Sequence, residues 1–300
     1  MKRVAILLVA YAVLAAQPSA QPIADAAAKH PASSDLFISR DLEYARYGAT
    51  RLFLDLYRPS RSEHSRLPLI VVIRGGGWRR GDKEGFAFIA RYLARSGFAT
   101  ACIEYRTSEK AKFPAAVHDV KASVRWARAH AAQFGFDADR IGLIGCSAGG
   151  QLAALVGTSA DDPRLEGLGG NSGNSTRVAA VVAMAPVTDF RLTWSKPNGK
   201  DGAEFLGAGL HEDDARIALA SPVTHVSRQA APLLLIHSRT DKEVLYEQST
   251  LMKARYAEVG ADVQLVTFDE APHDFWNYST WFTDSMEYAV RFFRQKFAAR

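Results

Sequence analysis

Apolar residues in this chain fall into strand-length runs separated by stretches of helical period. Residues 67–73 (LPLIVVI) are apolar throughout, and residues 99–105, 140–144, 178–184, 233–237 and 263–268 are runs of the same general kind. A strand with one wet face alternates, whereas a run without alternation is covered on both faces, as in a parallel sheet. Between the runs the period changes. Phe88, Ile89, Tyr92 and Leu93 recur at helical spacing within 86–96, and Gly97 closes that segment. Val117, Val120, Val124 and Ala127 mark one face of a helix that opens at Phe113-Pro114 and runs through Ala132. Residues 151–156, 246–259 (ended by Gly260) and 279–297 read as further helices. Only the start differs: in 36–57, Leu52, Leu54 and Leu56 alternate with Phe53, Asp55 and Tyr57, which predicts an antiparallel pair around Gly48-Ala49-Thr50. Strand and helix then succeed one another in order, which is the pattern of a single α/β domain with a mainly parallel sheet and helices on both faces. Residues 136–139 read as a turn, the Gly-rich stretch 159–176 as a long loop, and 191–220 as a small cap over the carboxyl edge of the sheet.

Composition narrows the class. With 300 residues, 48% of them hydrophobic and 23% charged, the chain can bury one large core. Its net charge of +5 is spread along the sequence with no basic run, which argues against nucleic acid or a membrane surface as partner. The first residues look like an export signal: Lys2 and Arg3 precede an apolar stretch over 4–16, with small residues at Ala16, Ala20 and Ala26 for cleavage. We therefore expect a signal over 1–20, a disordered linker over 21–34, a folded domain over 35–300, a secreted or periplasmic location, and no stable membrane insertion once the signal is removed. Export permits disulfides, but Cys102 sits on one predicted strand and Cys146 in the Ser147 turn after another, with a further strand expected between them. That spacing of roughly 9–10 Å is too wide for a bridge, so two free buried thiols are expected. The sequence does not fix an oligomeric state.

The candidate chemistry lies at the predicted strand ends, where open parallel sheets bind ligands. Gly145-Cys146-Ser147-Ala148-Gly149 matches G-x-S-x-G between a predicted strand and helix, a turn that lifts a serine clear of the backbone. The other strand ends carry Arg74-Gly75-Gly76-Gly77-Trp78, Asp241 and His273. A nucleophilic serine needs a base, the base needs an orienting acid, and the oxyanion needs preorganised N–H donors. The remaining histidines read as structural; His237, near a strand end, reads mainly as core. No H-x-x-x-H, CxxC or carboxylate cluster suggests a metal, and no cofactor is expected.

The order Ser147, Asp241, His273 resembles that of the α/β-hydrolases. With Gly81-Asp82-Lys83, the segment 113–121, Ala220-Ser221-Pro222-Val223 and Ala271-Pro272-His273-Asp274-Phe275-Trp276, the chain is similar to the esterase/lipase group, and within it to the BD-FAE-like branch of bacterial feruloyl and xylan acetyl esterases. The resemblance implies that Ser147 is the nucleophile, His273 the general base and then acid, and Asp241 the acid that orients it, with Asp189 and the flanking Asp269 and Asp274 as rivals. It implies an oxyanion hole built from the amide of Ala148 with those of Gly76 and Gly77 or Trp78. Where the family has His, this chain has Arg74, an all-donor and permanently charged side chain. Bracing of the Gly loop then requires a carboxylate or a backbone carbonyl as partner. Trp78, Trp194, Phe275 and Trp276 are candidates for a substrate wall, with core packing as the other reading of Trp276. The expected substrate is a small-molecule or carbohydrate ester with a short acyl group. The alternatives are an amidase or peptidase on the same fold, or a non-catalytic binding protein of hydrolase ancestry.

Overall fold

The computed structural model describes residues 35–61, 66–160, 162–193, 199–207 and 215–299. The expected signal, the linker 21–34, His30, His64, His211 and Trp194 lie outside the described residues.

Eight strands form one sheet: β1 (Leu36–Tyr47), β2 (Thr50–Pro59), β3 (Leu67–Ile73), β4 (Ala99–Ile103), β5 (Phe136–Cys146), β6 (Ala180–Met184), β7 (Leu233–Ser238) and β8 (Val263–Phe268). The spatial order is β1-β2-β4-β3-β5-β6-β7-β8. The pairs β1/β2 and β2/β4 are antiparallel and all others parallel. The alternating segment at the start is thus the antiparallel edge, and the unbroken runs form the parallel centre.

The helices are α1 (Ala87–Arg95), α2 (Ala115–Ala129), α3 (Ala148–Thr158), α4 (Gly199–Leu206), α5 (Ala215–Ala220), α6 (Glu247–Val259) and α7 (Ser279–Ala298). They cover both faces of the sheet, as the apolar runs require. Leu69, Val71 and Ile73 of β3 share a core with Val117, Val120 and Val124 of α2, Leu152 and Leu155 of α3, and Met252 of α6. Ile70 and Val72 join Ile89 and Leu93 of α1 and Met286 and Phe293 of α7 in the core on the other face. None of these helices is long and apolar enough to cross a membrane.

Two boundaries differ from expectation. Residues 136–139 are not a free turn but the bulged start of β5: Leu67 pairs with Phe136, Leu69 with Ile141, and the register slips between them. The helix expected to run through Ala132 ends at Ala129, and a separate turn, Ala131–Phe134, closes at Gly135 with φ 72°. Cys102 lies on β4 and Cys146 at the end of β5, with β3 between them; both thiols are free and buried. Burial pushes both thiols well above their ordinary value, and the nearby Asp55 carboxylate adds to the rise at Cys102 against the opposing pull of Lys83. The register aligns the strand ends that matter: Ile73 pairs with Gly145, and Cys146 with Met184. The loops after β3 and β5 therefore leave the sheet side by side.

Candidate active site

Ser147 caps the first turn of α3 directly after β5, with φ 53° and ψ −119°. A non-glycine residue at positive φ costs on the order of 1–3 kcal/mol and persists only where its surroundings fix it. They do so from both sides: the Ser147 amide donates to the Met184 carbonyl at 2.8 Å, and its carbonyl accepts from the Gln151 amide at 2.9 Å. Close approach demands glycine in the next turn. A Cβ on Gly149 would lie 2.3 Å from the Ile73 carbonyl oxygen and 2.4 Å from that of Arg74. The elbow is thus pressed against the end of β3.

The side chains meet across three strand ends. His273 Nε2 lies 2.9 Å from Ser147 Oγ, and His273 Nδ1 lies 2.7 Å from Asp241 Oδ2. Ionised Asp241 only accepts, so Nδ1 carries the proton and Nε2 is free to take one from the serine hydroxyl. The backbone holds the carboxylate from below: Oδ1 accepts the amides of Glu243 and Val244, both at 2.9 Å. Oδ2 receives a second donor, His237 Nε2, at 3.2 Å. Burial pushes the Asp241 carboxyl up, but hydrogen bonds from His237 and His273 outweigh it and hold the group well below the usual carboxylate range. The exposed Glu243 brings Oε2 to 3.9 Å from His273 Nε2, at the mouth of the site.

The Gly loop after β3 runs beside the serine. A Cβ on Gly75 would lie 3.0 Å from the Cys146 carbonyl oxygen and 3.6 Å from Ser147 Cβ. The loop turns sharply at Gly76, with φ 104°, whose carbonyl accepts the amides of Arg79 and Arg80. The amides of Gly76, Gly77 and Ala148 have no acceptor among the described residues. Ala148 is also the first residue of α3, where amides are unpaired and the helix dipole favours negative charge. An electronegative oxygen adjoining Ser147 would find these donors nearby.

Arg74 anchors the loop through carbonyls. It is buried, its Nη1 donates to the carbonyls of Gly75 (3.3 Å) and Arg80, and its Nη2 donates to the Tyr105 carbonyl at 3.3 Å. The guanidinium lies 3.9 Å above the Tyr105 ring, and the Tyr105 hydroxyl donates back to the Arg74 carbonyl at 3.2 Å. No carboxylate among the described residues pairs with it.

The aromatic residues require correction. Trp78 is only 2% exposed, stacked on Phe205 of α4 at 4.8 Å and tilted against Phe190, and its indole N–H donates to Gln151 Oε1 at 2.9 Å. It fixes α4 and the Gly loop to α3 and presents no wall. Trp276 is 4% exposed and meets the His273 ring edge-on at 5.5 Å, backed by Phe275. It packs on the imidazole rather than facing a substrate. The helix α4 reaches the Gly loop through charge: Arg79 pairs with Glu204 at 2.7 Å and lies 3.4 Å from Asp201, both on α4.

The rival acids are engaged elsewhere. Both Asp189 oxygens bind Arg191, Asp269 pairs with Arg239, and Asp274 accepts from Asn277. His118, His130 and His225 each bond a backbone carbonyl. No group of side chains suited to a metal ion occurs among the described residues. The residue that sequence reasoning undervalued is His237. Its position four before Asp241 at a strand end was the available signal.

The family model BD-FAE matches residues 54–256. The chain is 31% identical over 227 residues to the probable carboxylic ester hydrolase LipM of Mycobacterium tuberculosis (strain ATCC 25618 / H37Rv), covering 70% of this chain and 49% of that protein. It is 31% identical over 235 residues to the esterase LipC of the same organism, covering 74% and 56%. The chain thus spans about half the length of these curated relatives. Among solved structures it is similar to a truncated carbohydrate esterase from gut microbiota (TM-score 0.77, 26% identity, covering 90% of this chain and 100% of that one). It is also similar to esterase 2 of Thermogutta terrifontis, solved phosphonylated by sarin (TM-score 0.74, 25% identity, covering 87% and 95%).

Proposed function

This chain belongs to the BD-FAE family, and on that premise we propose that it is a serine carboxylic-ester hydrolase acting through an acyl-enzyme on short-chain or carbohydrate-linked esters. The contact chain from Ser147 Oγ to His273 Nε2 at 2.9 Å, and from His273 Nδ1 to Asp241 Oδ2 at 2.7 Å, carries the proposal. His273 removes the serine proton as Oγ adds to the ester carbonyl. The tetrahedral oxyanion is received by the amides of Ala148, Gly76 and Gly77, each preorganised donor of this kind being worth about 3–4 kcal/mol in the transition state. The imidazolium, stabilised by Asp241, then returns the proton to the leaving alkoxide. Water, activated by the same imidazole, releases the acid and restores Ser147.

A short acyl group is supported by relatives: one solved neighbour is a carbohydrate esterase, and Thermogutta terrifontis Est2 has been solved with propionate and with butyrate bound. Lys2, Arg3 and the apolar stretch 4–16 support export, and the two buried thiols require no disulfide partner. Nitrophenyl acetate, butyrate and octanoate, acetylated xylan, a feruloylated sugar and an acetanilide form the test set. We expect acetyl and butyryl esters to be cleaved well ahead of octanoyl, and Ser147→Ala to be inactive. Turnover of the anilide at a kcat/KM equal to that of the acetyl ester would instead assign an amidase.

A further inference from the structure

His237 is fully buried at the end of β7, and neither the serine, the base nor the oxyanion donors of the proposed reaction call on it. Its surroundings nevertheless determine its hydrogen bonding. Nε2 lies 3.2 Å from Asp241 Oδ2 and 2.9 Å from the Val244 carbonyl oxygen, two atoms that only accept. Nε2 must therefore carry a proton and share it between them. On the far side, Nδ1 lies 2.8 Å from Ser249 Oγ of α6, whose hydroxyl can donate to it. The ring is flanked edge-on by Tyr246 at 5.8 Å. The titratable or charged groups facing this unit are Asp241, His273 beyond it, Glu243 at the mouth, and Tyr246, over which Arg239 lies.

We propose that His237 is a positioning residue for the ester-hydrolysing site, donating the second hydrogen bond to the oxygen of Asp241 that holds His273. The inference rests on the proposed roles of Asp241 and His273. With Oδ1 held by two amides, the carboxylate plane is set; the His237 N–H on Oδ2 fixes which lone pair remains for His273. It also spreads the charge of that oxygen. An Asp241 oxygen with lower proton affinity orients the imidazolium without taking its proton, and without holding His273 protonated too strongly in the resting enzyme. No proton passes through His237: its N–H remains in place throughout the cycle, and Val244 and Ser249 keep the ring from turning.

Glutamine and methionine separate this role from packing, because they have similar length and only glutamine carries an N–H near the position of Nε2. His237→Met removes the donor, so Asp241 holds the protonated imidazole more tightly. The acid limb of the kcat/KM profile for nitrophenyl acetate should then move up by about half a pH unit to one unit. kcat should fall by roughly 10-fold or more at its optimum, with KM little changed. His237→Gln should return the limb most of the way to the wild-type position. The inference is overturned if the two folded variants share one acid limb, whatever their rates, since packing alone would then explain both. In the wild-type protein, 15N spectra of the imidazoles at neutral pH should show Nε2 of His237 protonated; a bare Nε2 overturns the inference even if His237→Met does not fold. The underlying assignment is tested separately: a wild type that loses no activity on Ser147→Ala would defeat the ester-hydrolase reading itself, whereas a dead Ser147→Ala beside unshifted His237 variants defeats only the role of His237.

Discussion

Replacing Arg74 by methionine separates loop geometry from fold stability. Methionine keeps an unbranched stem and removes the charged donors together with the guanidinium that lies over the Tyr105 ring. The guanidinium makes three bonds to backbone carbonyls, two of them long at 3.3 Å, and no carboxylate among the described residues neutralises it. Hydrogen bonds from a charged donor contribute about 1.5–3 kcal/mol each when well formed, and less at this length. Against them stands the desolvation of a buried charge, an effective penalty of several kcal/mol. The two nearly offset, so Arg74→Met should change unfolding free energy by less than about 2 kcal/mol, or a few degrees in Tm. The rate should respond more. The carbonyls of Gly75 and Arg80 bracket the turn whose amides at Gly76 and Gly77 serve the oxyanion, and releasing them lets those donors drift. Complete loss of one donor costs ~10²–10³ in kcat, so a displaced loop should cost roughly 10- to 100-fold, with KM nearly constant. Arg74→His, which keeps a donor, should retain more activity than methionine. Thermal and urea melts, with steady-state hydrolysis of nitrophenyl acetate, measure both quantities. A large fall in Tm with unchanged kcat per folded molecule would refute the reasoning and make Arg74 a fold residue.

Other outcomes follow from the same geometry. Gly149→Ala drives a Cβ to 2.3 Å from the Ile73 carbonyl oxygen and should lose activity by on the order of 100-fold or fail to fold, whereas Gly85→Ala, whose Cβ meets only Asp82 Oδ1 at 3.5 Å, should behave as wild type in both Tm and kcat. Asp241→Asn should lower kcat by roughly 10⁴-fold through the wrong imidazole tautomer, while Asp189→Asn, which releases only Arg191, should keep most activity in the same ester assay. For pH, the Asp241 carboxyl is depressed in the folded state, so the stability it contributes is present above its unfolded value near 4 and is lost only as pH falls through the lower folded one. Activity lost between about pH 7 and 5 should therefore return fully on neutralisation, with far-UV circular dichroism unchanged across that range. Loss of ellipticity in step with activity would contradict this.

The parts of the molecule legible in the sequence are those with local or periodic causes. The unbroken run 67–73 announces a strand covered on both faces, and β3 lies at the centre of the sheet between β4 and β5. Ser147, Asp241 and His273 were brought together because each follows a strand, and strand ends converge in a parallel sheet. The illegible parts depend on partners distant in sequence. Whether Trp78 faces solvent or core is decided by Phe205 and Gln151, far from it in the chain. Arg74 is satisfied by carbonyls, which carry no sequence signature. The bulge at 136–139 arises from pairing with Leu67, which turn-favouring residues cannot report. His237 showed its spacing to Asp241, but spacing alone does not tell a packed ring from one that donates to the acid.

The most direct test of the central claim is reaction of the folded protein with a fluorophosphonate, read by intact mass and peptide mapping. A single adduct on Ser147, formed in step with loss of esterase activity and absent from Ser147→Ala, is the predicted result. A folded protein that takes up no label at Ser147, or a Ser147→Ala variant that still hydrolyses nitrophenyl acetate, would contradict it.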